Sequence, residues 1–445
     1  MEQTNKINAL GNEPINKILK RLAIPASLAM FVSALYNIVD TIFVGRLIGW
    51  EAIAALAIAN PIQMILLAIG QVFGIGAASI ISRSLGSDDH KRANTALGNS
   101  VLSMLIISVF TSVFGTIFIT QFLTLFGASS AILPYAYEYM IVILPFSVFR
   151  ILSVGLNNIV RSEGNAKLAM YTMIAGAITN IILDPIFIYY LDMGIRGAAI
   201  ATIIAQAVSV IITLVYLVGP KGSLHITIKS LRLDLEVLKE IIGIGIPSFF
   251  RQAGASILTI ILNNLLGLYG DIFISVYGVI LKITSFTFMP SLGIFQGMVP
   301  IVGYNYGAKK YTRVKEVISL ARKWALVIMF TSTVIIELFP STIISIFSTD
   351  PILIENGVLF VRLFFMAFWI IPLNVASSNT FQAIGNGRLA LISALMRQFI
   401  VLIPVLLICF TLFGLVGIFI SFPIADVIAS LTTNHLLKKE LIKLS

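Results

Sequence analysis

Arg161-Ser162-Glu163-Gly164-Asn165-Ala166-Lys167-Leu168-Ala169 is a charged interruption in an otherwise apolar chain, and its core returns 221 residues later as Gly385-Asn386-Gly387-Arg388-Leu389-Ala390. The shared Gly-Asn-x-x-Leu-Ala is one anchor of a duplication. Ile24-Pro25 returns as Ile246-Pro247 at offset 222, Gly86 as Gly307 at 221, and Gly194-x-x-Gly197 as Gly414-x-x-Gly417 at 220. Four anchors in the same order describe two copies of one unit. The sequence divides into an N-lobe (1–220), a polar linker (221–240) and a C-lobe (241–445).

Around these anchors, 58% of the 445 residues are hydrophobic and 11% charged, and the mean hydropathy is +0.99. A soluble domain carries roughly 25% charged residues, so a soluble enzyme, a secreted disulfide scaffold and a disordered regulator are all excluded. Crossing a ~30 Å hydrocarbon core takes ~20 apolar residues. Apolar runs near 23–45, 53–82, 95–120, 133–158, 169–190, 195–218, 241–266, 273–302, 323–346, 358–382, 388–412 and 415–437 predict twelve spans. The expected fold is an all-α polytopic membrane protein, with twelve transmembrane helices in two pseudo-symmetric six-helix lobes. An even number of spans per lobe makes the repeats parallel, related by an axis along the membrane normal.

The net charge of +10 follows topology rather than nucleic acid, for which no binding is expected. With the N-terminus inside, 23 of the 30 Lys and Arg fall in cytoplasmic segments, two (Arg46 and Arg196) outside, and five in or near spans. That bias predicts a multi-pass protein of the plasma or inner cell membrane with both termini cytoplasmic. The polar first ~20 residues lack the pattern of a cleaved signal, so the first helix reads as an uncleaved anchor. Cys409 is the single cysteine, and His90, His225 and His435 lie in loops or at a span end. No P-loop, nucleophile–base pair or soft-metal cluster is visible. Neither an enzyme nor a bound cofactor is expected.

The polar residues inside spans carry the functional signal. Asp40, in Tyr36-Asn37-x-x-Asp40, and Asp184, in Asn180-x-x-x-Asp184-Pro185, lie deep in spans 1 and 5. A bare carboxylate there costs about 2.5–3.5 kcal/mol even on an insertion scale, so each needs a partner, a proton or a cation. Asn180 shares a helix face with Asp184 at i,i+4. Thr202 and Gln206 form a second such pair, and Arg150, Ser153 and Asn157 line one stripe of span 4. Asp40, Asn180, Asp184 and Thr202 are hard oxygen ligands, suited to a proton or Na⁺. The competing reading is structural: an Asp40–Arg150 or Asp184–Arg150 ion pair. At the repeat offsets, Asp40 faces Leu262, Asp184 faces Ile403, Pro404 or Val405, Thr202 faces Phe422, and Asn180 faces Ile400 or Val401. A scaffold used twice with a cation site built once is the expectation. In the second half, Arg251, Lys282 and Arg397 lie in spans, either paired with Glu337 and Asp426 or lining a cavity. Pro25 interrupts the ladder near the start of span 1 and is expected either to act as a hinge or only to mark the helix start.

With these residues placed, the chain resembles the multidrug and toxin extrusion (MATE) family, DinF-like prokaryotic branch. Arg161–Lys167, Gly385–Arg388 and Asp184-Pro185-Ile186-Phe187-Ile188-Tyr189 carry the resemblance, together with Asp40, Asn157, Asn180 and Thr202. It implies a secondary antiporter that exports amphipathic, often cationic drugs in exchange for Na⁺ or H⁺ by alternating access. It also implies a cation-coupling set of Asp40, Asn157, Asn180, Asp184 and Thr202, and a first helix that bends near Pro25. Where some relatives carry an extra asparagine, this chain has Val154. Spans 7 and 10 offer Arg251, Asn263, Asn264 and Asn374 with no mid-span acid, so no C-lobe cation site is expected. Its partners are expected to be drugs or organic cations and the bilayer, and it is expected to function as a monomer. The alternative is a lipid-linked oligosaccharide flippase of related two-lobe architecture.

Overall fold

A chain crossing hydrocarbon must satisfy its own backbone N–H and C=O groups, which for a run of ~20 apolar residues means a helix. The computed structural model describes residues 8–219, 222–227, 230–347 and 350–444, which form helices and turns with no strand among them. The first six spanning helices are α1 (Ile15–Leu47), α2 (Trp50–Gly86), α3 (His90–Ile117), α4 (Leu133–Ile143 with Ser147–Ser162), α5 (Ala166–Tyr190) and α6 (Gly194–Val218). Then come α7 (Leu235–Gly267), α8 (Asp271–Gly307), α9 (Tyr311–Leu338), α10 (Pro351–Ala383) and a helical stretch of 56 residues, Gly387–Ile442.

That last stretch, if straight, would be about 84 Å long, nearly three times a ~30 Å core. It is not straight. Gly414 has φ +56° and ψ −131°, outside any helix. Arg397 and Asp426, 29 residues apart in sequence, approach to 2.6 Å. Gly417 packs on the carbonyl of Cys409. The chain therefore doubles back at Gly414, giving α11 (387–413) and α12 (415–442), and the spans among the described residues number twelve.

The repeated motif has a physical meaning. Gly164 and Gly385 hold φ +81° and +82°, the left-handed conformation in which a helix ends on glycine. The following Asn165 and Asn386 side chains then accept from the N–H of Leu168 and Leu389, at 3.3 and 3.1 Å, and cap the next helix. Gly-Asn-x-x-Leu is thus a stop and a restart. Gly194 and Gly414 match as closely, at φ +53° and +56°.

Several boundaries differ from expectation. Helix α1 starts at Ile15 rather than near 23, because Ile15, Ile18, Leu19 and Leu22 are buried while Asn16, Lys17 and Lys20 stay exposed. That amphipathic spacing extends the helix in front of the apolar run. Pro25 is consequently ten residues inside a continuous helix and does not mark its start. Span 4 is not one rod: its two segments meet at 61°, around Leu144-Pro145-Phe146. The linker ends earlier than 240, because Asp234 accepts from the N–H of Glu236 and Val237 and starts α7 at Leu235. Lys6, Lys221 and Lys229, assigned to cytoplasmic segments, and the side chain of Asn37 lie outside what is described.

Buried apolar side chains form three clusters. One lies within residues 44–244 and one within 258–425, while the third joins residues 9–23 to the chain beyond 294. The two halves touch through glycines near the end of the bundle that carries the termini. A Cβ on Gly86 would collide with the Tyr304 carbonyl, and one on Gly307 with the Arg83 carbonyl. These two glycines are repeat mates, so the contact is reciprocal about the pseudo-two-fold axis. Gly76 against Ile241, Gly245 against Val72, Gly293 against Ser27 and Gly297 against Ala23 extend the seam. Glu240 of α7 ties it further, accepting from Arg83 at 2.8 Å and Arg92 at 2.6 Å. On the outside, Ile106, Val109, Phe110, Val113 and Ile117 expose one apolar stripe of α3, as a lipid-facing helix should.

Candidate functional site

Asp40 of α1 and Asp184 of α5 meet: their carboxyl groups are in hydrogen-bond contact. Two carboxylates at that separation repel unless a proton or a cation lies between them. Asn180, one turn before Asp184, donates Nδ2 to Asp184 Oδ1 at 3.1 Å, which leaves its own Oδ1 facing inward. Asp40 Oδ1, Asp184 Oδ2 and Asn180 Oδ1 are all buried with no hydrogen-bond donor among the described residues. Buried oxygens normally find a donor, and a proton or a hard cation is the kind of partner that three orphaned oxygens beside a carboxyl pair lack. Pro185 follows directly, and α5 widens into a π turn over Ile186–Tyr190, a distortion frequent at functional sites.

Thr202 is buried on α6, and its hydroxyl reaches Tyr139 of α4, a residue the sequence reading did not single out. Tyr139 also accepts from Gln63 Nε2 at 3.4 Å and lies within electrostatic range of Asp40. A phenol inside an apolar helix needs a polar partner, and that was the available signal. Asn157 is not part of this group. Its amide donates to Ala169 O at 2.8 Å and Thr172 Oγ1 at 3.1 Å. Thr172 stands twelve residues before Asp184 on α5, about 18 Å along the helix. The family-derived set therefore splits, with Asp40, Asp184, Asn180 and Thr202 clustered and Asn157 apart.

A cavity of about 880 Å³ lies between the halves. Asn157, Asn180 and Thr202 line it from the first half, so the carboxyl pair sits just behind its wall. Arg150, Arg251 and Arg397 also line it. Arg397 is paired with Asp426, whereas no Asp40–Arg150 or Asp184–Arg150 ion pair is present among the described residues. Lys282 does not fit either of its expected roles: it is exposed, lies outside the cavity lining, and makes no ion pair among the described residues. The described lining contains no Asp or Glu.

One buried acid lies outside the spans. Burial pushes the Glu163 carboxyl up to about 7, against donation to its Oε2 from Ser223 Oγ at 2.7 Å, Ser223 N–H at 3.2 Å and Tyr216 OH at 3.4 Å.

Comparison with known proteins fits this geometry. The MatE family model matches twice, over residues 25–186 and 247–408. The chain belongs to the MatE family. Multidrug export protein MepA of Staphylococcus saprophyticus is 30% identical over 415 residues, covering 93% of this chain and 92% of the relative. A MATE crystal structure described as in the bent conformation superposes with a TM-score of 0.93 at 28% identity, covering 99% of this chain and 98% of that one. A structure described as the outward-facing conformation of a multidrug resistance MATE family transporter matches with a TM-score of 0.92 at 27% identity, over 98% of each chain. The starts of the two MatE matches are 222 residues apart, the offset of the Ile-Pro anchor.

Proposed function

We propose that this MatE protein is a cation-coupled efflux antiporter. It exports amphipathic small molecules, organic cations among the candidates, in exchange for Na⁺ or H⁺. The observation that carries the reading is the Asp40–Asp184 carboxyl contact, with its orphaned oxygens, one wall away from the central cavity. The coupling ion sits with Asp40, Asp184, Asn180 and Thr202, while substrate occupies the cavity. Lobes 1–220 and 241–445 rock as bodies, and the Gly86–Gly307 seam is the contact that parts when the cavity turns to the other side. The excess of Lys and Arg in the loops supports putting that seam and both termini at the cytoplasmic face of the cell membrane. Inward movement of one cation supplies ~2.3 kcal/mol per 100 mV. A single chain holds both the ion site and the cavity, so a monomer suffices.

The test is drug-driven cation counterflow in proteoliposomes. Asp40→Asn and Asp184→Asn should each abolish counterflow at equal insertion. Leu262→Ala, at the repeat position of Asp40, should leave ion dependence intact. Normal counterflow in both Asn variants would refute the coupling site.

A further inference from the structure

Resting on the efflux reading, we infer that the central cavity is built to hold the anionic head group of an amphiphile, and that it prefers an anion to a cation of the same size and shape. The charge inventory carries this. Four guanidinium groups, Arg150, Arg161, Arg251 and Arg397, line the cavity, and no carboxylate joins them in its described lining. Among the described residues, only Arg397 is neutralised, by Asp426 at 2.6 Å. The other three have only neutral partners among those residues. Arg161 donates to Gln296 Oε1 and, at 3.0 Å, to Asn158 Oδ1. Arg251 donates to Ser248 Oγ at 3.2 Å. Arg150 lies beside Tyr36, and its buried Nε has no acceptor among the described residues.

The nearest acids do not cancel this charge. Asp40 and Asp184 stand behind the wall, and the pair shares one proton or cation when loaded, leaving at most a single negative charge. Asp426 is already committed to Arg397. A guanidinium presents five donors in a fixed fork, and amide or hydroxyl partners leave most of the fork available to a carboxylate, sulfonate or phosphate. Away from the arginines the lining is apolar and adaptable, with Met30, Met64, Leu292 and Phe295 among its side chains. An apolar body against these, with its charged end toward Arg150, Arg161 and Arg251, is the complementary ligand. The two sources of such a ligand are a soluble organic anion and an anionic lipid.

The test uses tetraphenylborate and tetraphenylphosphonium, which share size and shape and differ in the sign of their charge. Binding is measured by equilibrium dialysis against the full chain in phosphatidylcholine nanodiscs, with empty nanodiscs subtracted. Tetraphenylborate should bind about tenfold or more tighter than the phosphonium. Arg251→Gln should cut that preference to about threefold or less, and Arg251→Lys, which keeps the charge, should retain most of it. Repeating the assay with phosphatidylglycerol in the disc separates the sources: weakened borate binding identifies a lipid phosphate as the occupant, and unchanged binding a soluble anion, both within the proposal. Equal affinities, tighter phosphonium binding, no borate binding, or a preference untouched by Arg251→Gln would overturn it. Counterflow measured in parallel keeps the two readings apart, since loss of counterflow with the borate preference intact indicts only the coupling site.

Discussion

Asp426 offers the sharpest energetic test of the fold. Its side chain is 2% exposed, Oδ1 accepts from Arg397 Nε at 2.6 Å, and Oδ2 has no donor among the described residues. Replacing Arg397 with Met leaves a buried carboxylate with no counter-charge, a loss of about 3–5 kcal/mol. Replacing Asp426 with Leu should cost less, about 1–2 kcal/mol, because the Arg397 side chain is 26% exposed toward the cavity and its charge reaches water. The double variant removes both charges together and should unfold within about 1 kcal/mol of the parent. In a thermal melt of the detergent-solubilised chain, roughly 1–2 °C accompanies each kcal/mol at this length. Arg397→Met should therefore melt about 4–8 °C early, and the double variant should recover most of that. If the two single losses simply add in the double variant, the residues are not coupled, and the pairing that folds α11 against α12 is refuted.

Three further outcomes follow from the same geometry. Gly307→Leu should hold the glycine seam apart, because any Cβ there meets the Arg83 carbonyl; Ser79 is buried where its hydroxyl donates to Gln382 O of the other half, so in a Cys409→Ser background maleimide labelling of Ser79→Cys should rise, and unchanged labelling would show that the seam tolerates the bulk. Glu163 keeps its proton in the folded state from its ordinary value of 4.5 up to about 7, so stability should fall by about 3 kcal/mol as pH rises through that window. Glu163→Gln should flatten the dependence in pH-resolved melts, and an unaltered slope would locate it elsewhere. Pro25→Ala restores a backbone donor inside α1 and should slow transport while leaving cation affinity unchanged, whereas unchanged turnover would remove Pro25 as a hinge.

Much of this architecture was legible in the sequence, because glycines and prolines fix backbone wherever they fall. The Gly-Asn-x-x-Leu-Ala repeat marked a helix stop and restart in both halves, and Gly194 and Gly414 marked the same left-handed turn before the last span of each. The amphipathic start of α1 was missed because Ile15, Ile18, Leu19 and Leu22 sit among charged residues and lower the local hydropathy below that of a span. Asp40 and Asp184 stood out because intramembrane acids are costly, and their meeting fits that cost. Asn157 looked equivalent to Asn180, since helical spacing within one span says nothing about the height at which a neighbouring helix crosses it. Tyr139 escaped notice because a tyrosine in an apolar run reads as core until its hydroxyl is seen to need Thr202 and Gln63.

The divergence of the two halves bears on the proposal that one lobe carries the ion chemistry. Arg397 stands 221 residues after Gly176, and Asp426 stands 220 after Gln206. In the first half, Gly176 lets α5 lie directly on α6: a Cβ there would meet Ser209 Oγ and the Ala205 carbonyl. Close packing of small residues joins those helices without charge, and Gln206 stays on the cavity wall. In the second half the same junction, α11 on α12, is made by a buried ion pair. Asp426 cannot receive a coupling cation without giving up its bond to Arg397, the one donor its buried carboxyl has among the described residues. The first half has no such commitment. Its helices are held by packing, so Asp40, Asp184 and Asn180 keep oxygens without a donor among the described residues, and the proposed ion site belongs in the first lobe of the duplicated scaffold.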